Sequence, residues 1–264
     1  MTSTDESTRA FWALGDYHAI SLLIADLGPA LVVAAGVRPG LRVLDVGAGS
    51  GNATLPAARA GAAVTAVDPT PELMAIGERA AAGEGLSIDW VTGVAEDLPF
   101  PTHAFDVVLS SVGAMFARDQ AATAAELRRV CRPGGTVAMA NWTPDGAAGR
   151  FFAVLGRHGA PTTDPPPTAW GDPDSVRALL AQGCAAVRTT ERECAVRFTG
   201  TAAELAAHYR RDFAPVIATA AALDDDTALL DDLAALLAGA DRGPAGGPPR
   251  YVYEYLEVVA TTGA

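Results

Sequence analysis

Cysteines, basic residues and long apolar runs are all scarce in this 264-residue chain. The three cysteines, Cys131, Cys184 and Cys194, are widely spaced, which predicts reduced structural thiols and neither a disulfide framework nor a zinc site. The polar start of the chain predicts no signal peptide, and no apolar run is long enough to predict a membrane helix. These absences predict a cytoplasmic protein without a membrane partner.

The shortage of basic residues gives the chain a formal charge of −12 and a pI near 4.7. Nucleic acids and anionic membranes require a basic face, so this charge predicts neither as a partner. His, Cys and acidic residues form no cluster with the spacing of metal ligands, so we predict no metal. The length suits one domain with an elaborated cap, as a monomer or homodimer.

Strand-like and helix-like segments alternate in the first half of the chain. Strands are predicted at 42–48, 63–68, 88–93, 105–111 and 135–142, with helices at 52–60, 71–82 and 119–131. This alternation predicts an α/β fold, a doubly wound and mostly parallel sheet with helices on both faces. Ligands of such sheets bind at the carboxyl ends of the strands.

The flanking segments predict helical additions to this core. The predicted division is 1–40 for an N-terminal helical lid, 41–142 for the core and 143–185 for a helical and proline-rich lid. Residues 186–264 are predicted to hold the two last strands, at 186–198 and 251–261, with a two-helix cap insertion at about 201–240, whose helices lie near 201–220 and 226–239. The insertion is expected to lie over the active site.

A glycine-rich turn follows the first predicted strand. It reads Val-Leu-Asp-Val-Gly-Ala-Gly-Ser-Gly-Asn over residues 43–52, and its glycines let a ligand approach the backbone. Nicotinamide enzymes use a similar turn for pyrophosphate, so an NAD(P)-dependent oxidoreductase is one alternative. The Gly-x-Gly-x-Gly spacing argues against it. Asp45 would also repel a pyrophosphate, whereas it would suit a ligand with an ammonium group.

The second predicted strand ends at Asp68, where a carboxylate can accept hydrogen bonds from a ribose diol. Together with Asp45 and the glycines, this series resembles the first motifs of class I S-adenosylmethionine (SAM) dependent methyltransferases. The resemblance continues through residues 93–100, Gly-Val-Ala-Glu-Asp-Leu-Pro-Phe, and through Pro133-Gly134-Gly135, and it covers about residues 40–142. Val94 stands where the family commonly has an adenine-contacting Asp.

The resemblance implies a Rossmann-like methyltransferase fold of seven strands, with an antiparallel last strand, and SAM as the cofactor. The residues that it implies for cofactor binding are Asp45, Gly47, Gly49, Gly51, Asn52, Asp68, Pro69, Thr70, Ala95, Glu96 and Ser111. Glu96 would substitute for the missing Asp, and a surface role is its alternative.

The N-terminal segment contains a polar break, Gly15-Asp16-Tyr17-His18, and related enzymes close this segment over SAM and substrate. His18 and Tyr17 are therefore the catalytic candidates, with helix capping by Asp16 and His18 as the alternative. His103, His158 and His208 have simpler surface or structural explanations, although His208 could also face the pocket. The residues predicted to line an acceptor pocket are Trp12, Met115, Phe116, Asn141, Trp142 and Phe151.

The predicted function is transfer of the SAM methyl group, by in-line displacement, to an O, N or C atom of a small apolar or aromatic molecule, typical of secondary metabolism. Positive charge at sulfur disappears in this reaction, so a dry pocket that aligns the reactants favours it. A non-catalytic SAM-binding regulator or partner subunit is the second alternative.

Overall fold

A seven-stranded sheet forms the centre of the computed structural model, which describes residues 3–263. The strands are β1 Arg42–Val46, β2 Ala63–Asp68, β3 Ile88–Thr92, β4 Phe105–Ser111, β5 Cys131–Trp142, β6 Cys184–Ala195 and β7 Val252–Thr262. Their order is β3-β2-β1-β4-β5-β7-β6. The pairs among the first five are parallel, and β7 runs antiparallel to both its neighbours. The predicted doubly wound fold with an antiparallel last strand is confirmed.

Eleven helices of the described residues surround the sheet. They are α1 Ser3–Trp12, α2 Tyr17–Leu23, α3 Leu27–Ala34, α4 Thr54–Arg59, α5 Pro71–Gly83, α6 Gln120–Val130, α7 Ala147–Arg157, α8 Pro173–Leu180, α9 Ala202–Asp212, α10 Ala214–Ala221 and α11 Thr227–Gly239. Short 3-10 turns cover Ala114–Phe116 and Pro167–Gly171. Side-chain caps explain several starts: Asp119 and Asp172 each accept a backbone amide of the first turn, and Thr201 forms a capping box with Glu204.

The cap insertion contains three helices, where two were predicted. The expected helix over 201–220 is interrupted at Phe213, whose φ of −103° and ψ of 113° are extended. Pro215 follows in the first turn of α10. Proline has no amide proton and its ring collides with the preceding helical turn, so α9 ends and α10 starts in a new direction.

Strand β5 begins earlier than predicted. The Pro133-Gly134-Gly135 turn was expected to separate helix 119–131 from a strand at 135, but the strand extends from Cys131 and pairs with Phe105 across a register shift. Gly134 has a φ of +68°, a conformation that glycine adopts without strain. A β-bulge at this register shift therefore accommodates the Pro133-Gly134-Gly135 turn within a single strand.

The core lies on β1, β4 and β5 and extends into the cap. Val43, Leu44 and Val108 are fully buried in the sheet. In the cap, α11 packs against α9 and α7 and buries Leu229 and Leu233 completely. A continuous core therefore links the sheet to the cap.

Within residues 3–263, no single helix is long and apolar enough to cross a membrane. Helices α2 and α3 meet the length and composition criteria only when taken together, and they are bent by 65° with respect to each other. Ile20, Leu27 and Leu31 of this pair are buried in the protein core, which accounts for its apolar character.

Candidate functional site

The glycine-rich turn after β1 contains three glycines, two of which have different structural roles. Gly47, Gly49 and Gly51 all have positive φ, at 69°, 54° and 96°. A Cβ at Gly47 would lie 2.7 Å from the Cα of Gly113, so this glycine permits close backbone packing. Gly49 is buried, yet a Cβ there would meet no atom within 4 Å, so its backbone borders open space on that side. This open backbone is suited to close approach by a ligand.

Asp68, at the end of β2, fixes the shape of that turn. Its Oδ2 accepts a hydrogen bond from the amide of Gly49 at 2.8 Å, and its Oδ1 accepts one from the amide of Thr70 at 2.8 Å. Burial raises the pKa of Asp68, and the two amide hydrogen bonds oppose this shift. Each oxygen can accept a further hydrogen bond, so the carboxylate can also bind a ribose diol.

Asp45 is a buried carboxylate with only one partner. Its Oδ2 accepts a hydrogen bond from Thr54 Oγ1 at 2.6 Å, whereas its Oδ1 is buried without a hydrogen-bond partner. Burial raises the pKa of Asp45 to about 6, and the charge of Asp68 contributes. A cation that hydrogen-bonds to Oδ1 would relieve both the missing contact and the repulsion. SAM carries an ammonium and a sulfonium, so these residues fit it.

The segment after β3 has its own hydrogen bonds. Val94 forms an isolated bridge with Asp97, and Glu96 Oε1 accepts a hydrogen bond from the amide of Arg118 at 2.7 Å. Glu96 therefore anchors the loop before α6, which favours its surface role over an adenine contact. Half-buried Ala95 is part of the same segment.

The other residues predicted for the cofactor surround the turn in different ways. Asn52 Nδ2 donates to the carbonyl of Ile24 at 3.3 Å and so ties the turn to the segment after α2. Half-buried Pro69 and fully buried Thr70 follow Asp68 directly. Ser111 Oγ is buried without a partner. The preceding residue, Ser110, donates to the carbonyl of Val46 at 2.7 Å and joins the ends of β1 and β4.

Helix α2 brings both catalytic candidates to this region. Asp16 caps the helix by accepting the amide of Ala19, so capping belongs to Asp16 and not to His18. His18 Nδ1 lies 2.9 Å from Ser50 Oγ in the glycine-rich turn. Half-buried Tyr17 lines a cavity, and desolvation of its hydroxyl, together with the charge of Asp68, raises the pKa of Tyr17.

That cavity, called here the aromatic cavity, has a volume of about 40 Å³. Its lining residues are Tyr17, Ile20, Ile24, Val112, Phe116, Trp142, Ala148, Phe151, Phe152, Tyr209, Phe213 and Tyr253. None of them carries a charged side chain at neutral pH. Three predicted pocket residues, Phe116, Trp142 and Phe151, are among them. Trp12 lies behind the lining, with its ring centroid 5.1 Å from that of Phe116.

The structure places two other predicted pocket residues outside the aromatic cavity. Asn141 is completely buried, and its Nδ2 donates to the carbonyl of Trp170 at 3.1 Å, which holds the 3-10 turn Pro167–Gly171 against β5. Successive side chains of a strand point to opposite faces, so Asn141 faces away from the side to which Trp142 points. Met115 is also completely buried, as part of the core.

The sequence interpretation missed eight lining residues, four of them aromatic: Phe152, Tyr209, Phe213 and Tyr253. Tyr209 and Phe213 are four residues apart at the end of α9, a spacing that could have indicated a shared face. The hydroxyls of Tyr209 and Tyr253 lie 2.9 Å apart and form a buried hydrogen bond between cap and sheet. Tyr253 lies on β7, and no feature of the sequence indicated that it contacts Tyr209 of α9.

The remaining histidines lie elsewhere. His103 is exposed, and His158 Nε2 is 2.9 Å from Asp232 Oδ2. His208 Nδ1 is 2.7 Å from Arg211 Nη2, and His208 does not line the aromatic cavity. Among residues 3–263, no three His, Cys, Asp or Glu side chains are grouped so that they could hold a metal ion.

Replacing Asp68 by Ala is expected to lower SAM affinity about 10- to 150-fold, because a charge-assisted hydrogen bond contributes about 1.5–3 kcal/mol. Isothermal titration calorimetry measures the change. Thermal melting must accompany it, since the amides of Gly49 and Thr70 also lose their acceptor. Asp89→Ala, at an exposed position of β3, is the control. Wild-type affinity in a folded Asp68→Ala variant would remove Asp68 from the cofactor site.

Proteins similar in sequence to this chain match either its central part or most of its length. The family model described as a methyltransferase domain matches residues 44–139. An uncharacterized protein of Mycobacterium tuberculosis is 42% identical over 228 residues, which are 85% of this chain and 83% of the relative. The demethylmenaquinone methyltransferase of Renibacterium salmoninarum is 37% identical over 113 residues, 43% of this chain and 46% of that enzyme.

The fold recurs in solved structures. The crystal structure of a putative methyltransferase from Bacillus halodurans superimposes with a TM-score of 0.60 at 18% identity, over 89% of this chain and 98% of that one. At 18% identity this similarity shows a shared fold and nothing about the substrate.

Proposed function

This chain belongs to the class I methyltransferases with SAM as cofactor, and from that premise we propose that its acceptor is a small, apolar or aromatic molecule methylated on an O, N or C atom. SAM supplies an electrophilic methyl group. The residues of the chain bind and orient the two reactants, and they exclude water from the space between them.

The aromatic cavity is the observation that carries this proposal. A charged acceptor entering it would lose its hydration without a compensating ion, which is costly. An aromatic acceptor would instead gain edge-to-face contacts of the kind the lining already makes, such as Phe151 with Tyr209 at a centroid distance of 5.1 Å. The name of the demethylmenaquinone methyltransferase from R. salmoninarum supports the same class of acceptor.

The volume of about 40 Å³ is sufficient for a few water molecules. An aromatic acceptor therefore enters only if side chains at the rim move. Phe116 and Phe152 are only half-buried, which makes them suited to this movement. Tyr17 approaches from the N-terminal helices, so opening of α2 would enlarge the same space.

The tyrosines of the cavity act as hydrogen-bond donors. Burial raises the pKa of Tyr17, Tyr209 and Tyr253, so their hydroxyls stay protonated at neutral pH. They can orient an oxygen or nitrogen of the acceptor, whereas they cannot remove its proton. Proton removal, where the acceptor requires it, falls to another group, and His18 is the candidate that the sequence predicts.

Methyl transfer from labelled SAM tests the proposal directly. The enzyme is incubated with 1,4-dihydroxynaphthalene, as an aromatic acceptor, and separately with ethanolamine, which is cationic at neutral pH. We expect labelled product from the aromatic compound. Transfer to ethanolamine alone would contradict the proposed acceptor class.

A carboxylate at the rim of the cavity should impair this reaction selectively. Phe152→Asp is expected to lower kcat/KM for the aromatic acceptor by about 10- to 100-fold, because the acceptor would desolvate a charge. Affinity for S-adenosylhomocysteine should stay at the wild-type value in calorimetry. Phe152→Leu keeps the site apolar and serves as the matched control. Equal kcat/KM in the Asp and Leu variants would contradict the assignment of the cavity.

We also propose that the protein acts without a nucleic-acid or membrane partner, in the cytoplasm, as a monomer or homodimer and without a catalytic metal. The net charge of −12 supports the first part, because it opposes binding to phosphate-rich surfaces. A role in secondary metabolism is consistent with a cavity adapted to an apolar acceptor. Size-exclusion chromatography with light scattering distinguishes the two oligomeric states.

A further inference from the structure

Three side-chain groups form a closed hydrogen-bond circuit between helix α2 and the glycine-rich turn. Ser21 Oγ donates to the backbone carbonyl of His18 at 2.7 Å. Ser21 Oγ also lies 3.1 Å from Ser50 Oγ, which lies 2.9 Å from His18 Nδ1. Ser21 and Ser50 are both buried, so water does not compete for these contacts.

The direction of each hydrogen bond follows from counting protons. A hydroxyl has one proton, and that of Ser21 is committed to a carbonyl oxygen, which can only accept. Ser21 Oγ must therefore accept from Ser50, whose own proton is then committed. Ser50 Oγ can in turn only accept from the imidazole, so Nδ1 of His18 carries a proton.

This assignment determines the chemistry of the other ring nitrogen. A neutral imidazole has one protonated and one unprotonated nitrogen, and the partner of the first fixes which is which. With Nδ1 as the donor, Nε2 of neutral His18 holds the free lone pair. Nε2 is then the proton-accepting atom of the ring.

Helix α2 places this ring between the two halves of the site. Tyr17 and Ile20 of the helix line the aromatic cavity, while His18 and Ser21 contact Ser50, which lies between Gly49 and Gly51. The ring is thus held at the border of the cofactor turn and the acceptor cavity. The tyrosines of the cavity cannot accept a proton at neutral pH, because burial raises the pKa of each.

We propose that Ser21 and Ser50 are positioning residues that hold neutral His18 in the Nδ1–H tautomer, and so present Nε2 as the proton-accepting atom of this site. The inference rests on the proposed function for its role: the acceptor atom would gain the methyl group as the bond from sulfur to that methyl group breaks, S-adenosylhomocysteine would be the leaving group, and the proton of the acceptor atom would pass to Nε2. The resulting imidazolium returns the proton to solvent. The tautomer itself can be measured without any acceptor.

Long-range proton–nitrogen NMR of protein with ¹⁵N-labelled histidine, at a pH where the ring is neutral, reads the tautomer. The His18 signals are those lost in His18→Gln. We expect the Nδ1–H pattern in the wild type. An Nε2–H pattern in the wild type would overturn the proposal.

Ser21→Ala provides the sharpest variant, because it removes no atom that touches the His18 ring. The hydroxyl of Ser50 is then free to donate to Nδ1, which moves the ring toward the Nε2–H tautomer. Ser50→Ala removes the acceptor of the Nδ1 proton and should also weaken the preference. The exposed Ser87→Ala is the control and should leave the spectrum unchanged. An unchanged His18 tautomer in folded Ser21→Ala and Ser50→Ala would refute the positioning role.

Modification by diethyl pyrocarbonate, mapped by mass spectrometry, tests whether the unprotonated nitrogen of His18 is accessible and faces the ligand site. We expect S-adenosylhomocysteine to protect His18 and to leave modification of the exposed His103 unchanged. Equal modification of His18 with and without this ligand would place Nε2 outside the site. If both results are as expected and no acceptor is methylated, the proposed acceptor class fails while the tautomer assignment stands.

Discussion

Replacing Asp45 by Asn is expected to stabilise the ligand-free protein and to weaken SAM binding about 10- to 150-fold. Burial raises the pKa of Asp45 to about 6. The folded state therefore binds a proton more tightly than the unfolded state, so this group's contribution to stability is greatest at low pH and declines as the pH rises toward 6. At neutral pH the charged carboxylate opposes folding by roughly 1–3 kcal/mol.

Asparagine removes that charge and keeps an oxygen to accept from Thr54. The melting temperature of the ligand-free variant should rise by about 2–8 °C, as expected for a chain of this size. SAM affinity should fall because the ammonium loses a charge-assisted hydrogen bond of about 1.5–3 kcal/mol. Differential scanning fluorimetry and calorimetry measure the two effects.

The same residue gives the wild type a pH-dependent affinity. A bound cation favours the charged carboxylate, so SAM affinity should decrease as the pH falls below about 6 and Asp45 takes up a proton. In Asp45→Asn, SAM affinity should not show this decrease at low pH. Asp89→Asn, at an exposed position of β3, is the control for removing one negative charge. Asp45→Asn with unchanged SAM affinity would show that this carboxylate does not contact the ligand.

Replacing Gly49 by Ala is expected to lower SAM affinity tenfold or more while changing stability little. The added Cβ would meet no protein atom within 4 Å, so it projects into the space assigned to the ligand. The positive φ of 54° should destabilise an alanine by about 1 kcal/mol. Calorimetry with S-adenosylhomocysteine and thermal melting separate the two effects.

Gly85→Ala is the matched control for this substitution. Gly85 has a φ of 68°, and a Cβ there would also meet no atom within 4 Å, yet it lies in the turn after α5. Its loss of stability should match that of Gly49→Ala, and its affinity should stay at the wild-type value. Gly47→Ala should instead destabilise the fold, because its Cβ would lie 2.7 Å from backbone. Equal affinities of the Gly49 and Gly85 variants would contradict the assigned ligand position.

The residues that we assign to the cofactor could be grouped from the sequence because they are local. Asp45 and the glycines occur within one strand and turn, and Asp68 ends the neighbouring strand. A parallel sheet brings strand ends together at one edge, so order along the chain predicts proximity.

The aromatic cavity, which we propose for the acceptor, depends on contacts between distant segments. Tyr209 and Tyr253 are 44 residues apart, and only the position of the cap over β7 brings their hydroxyls together. Asn141 and Trp142 illustrate a second limit. Alternation requires that one of them faces away from the cavity, but it does not say which one. The break at Phe213 is different, because Pro215 is a local signal in the sequence that the prediction of one helix over 201–220 did not use.

The position of β7 also determines when the site can be completed during synthesis. Strand β6 lies at the end of the sheet order and has β7 as its neighbour there, although the three cap helices are translated between the two strands. Strand β6 can therefore join the sheet only after residues 252–262 leave the ribosome. Because β7 also contributes Tyr253 to the aromatic cavity, this cavity is completed only after the glycine-rich turn has long been available to fold.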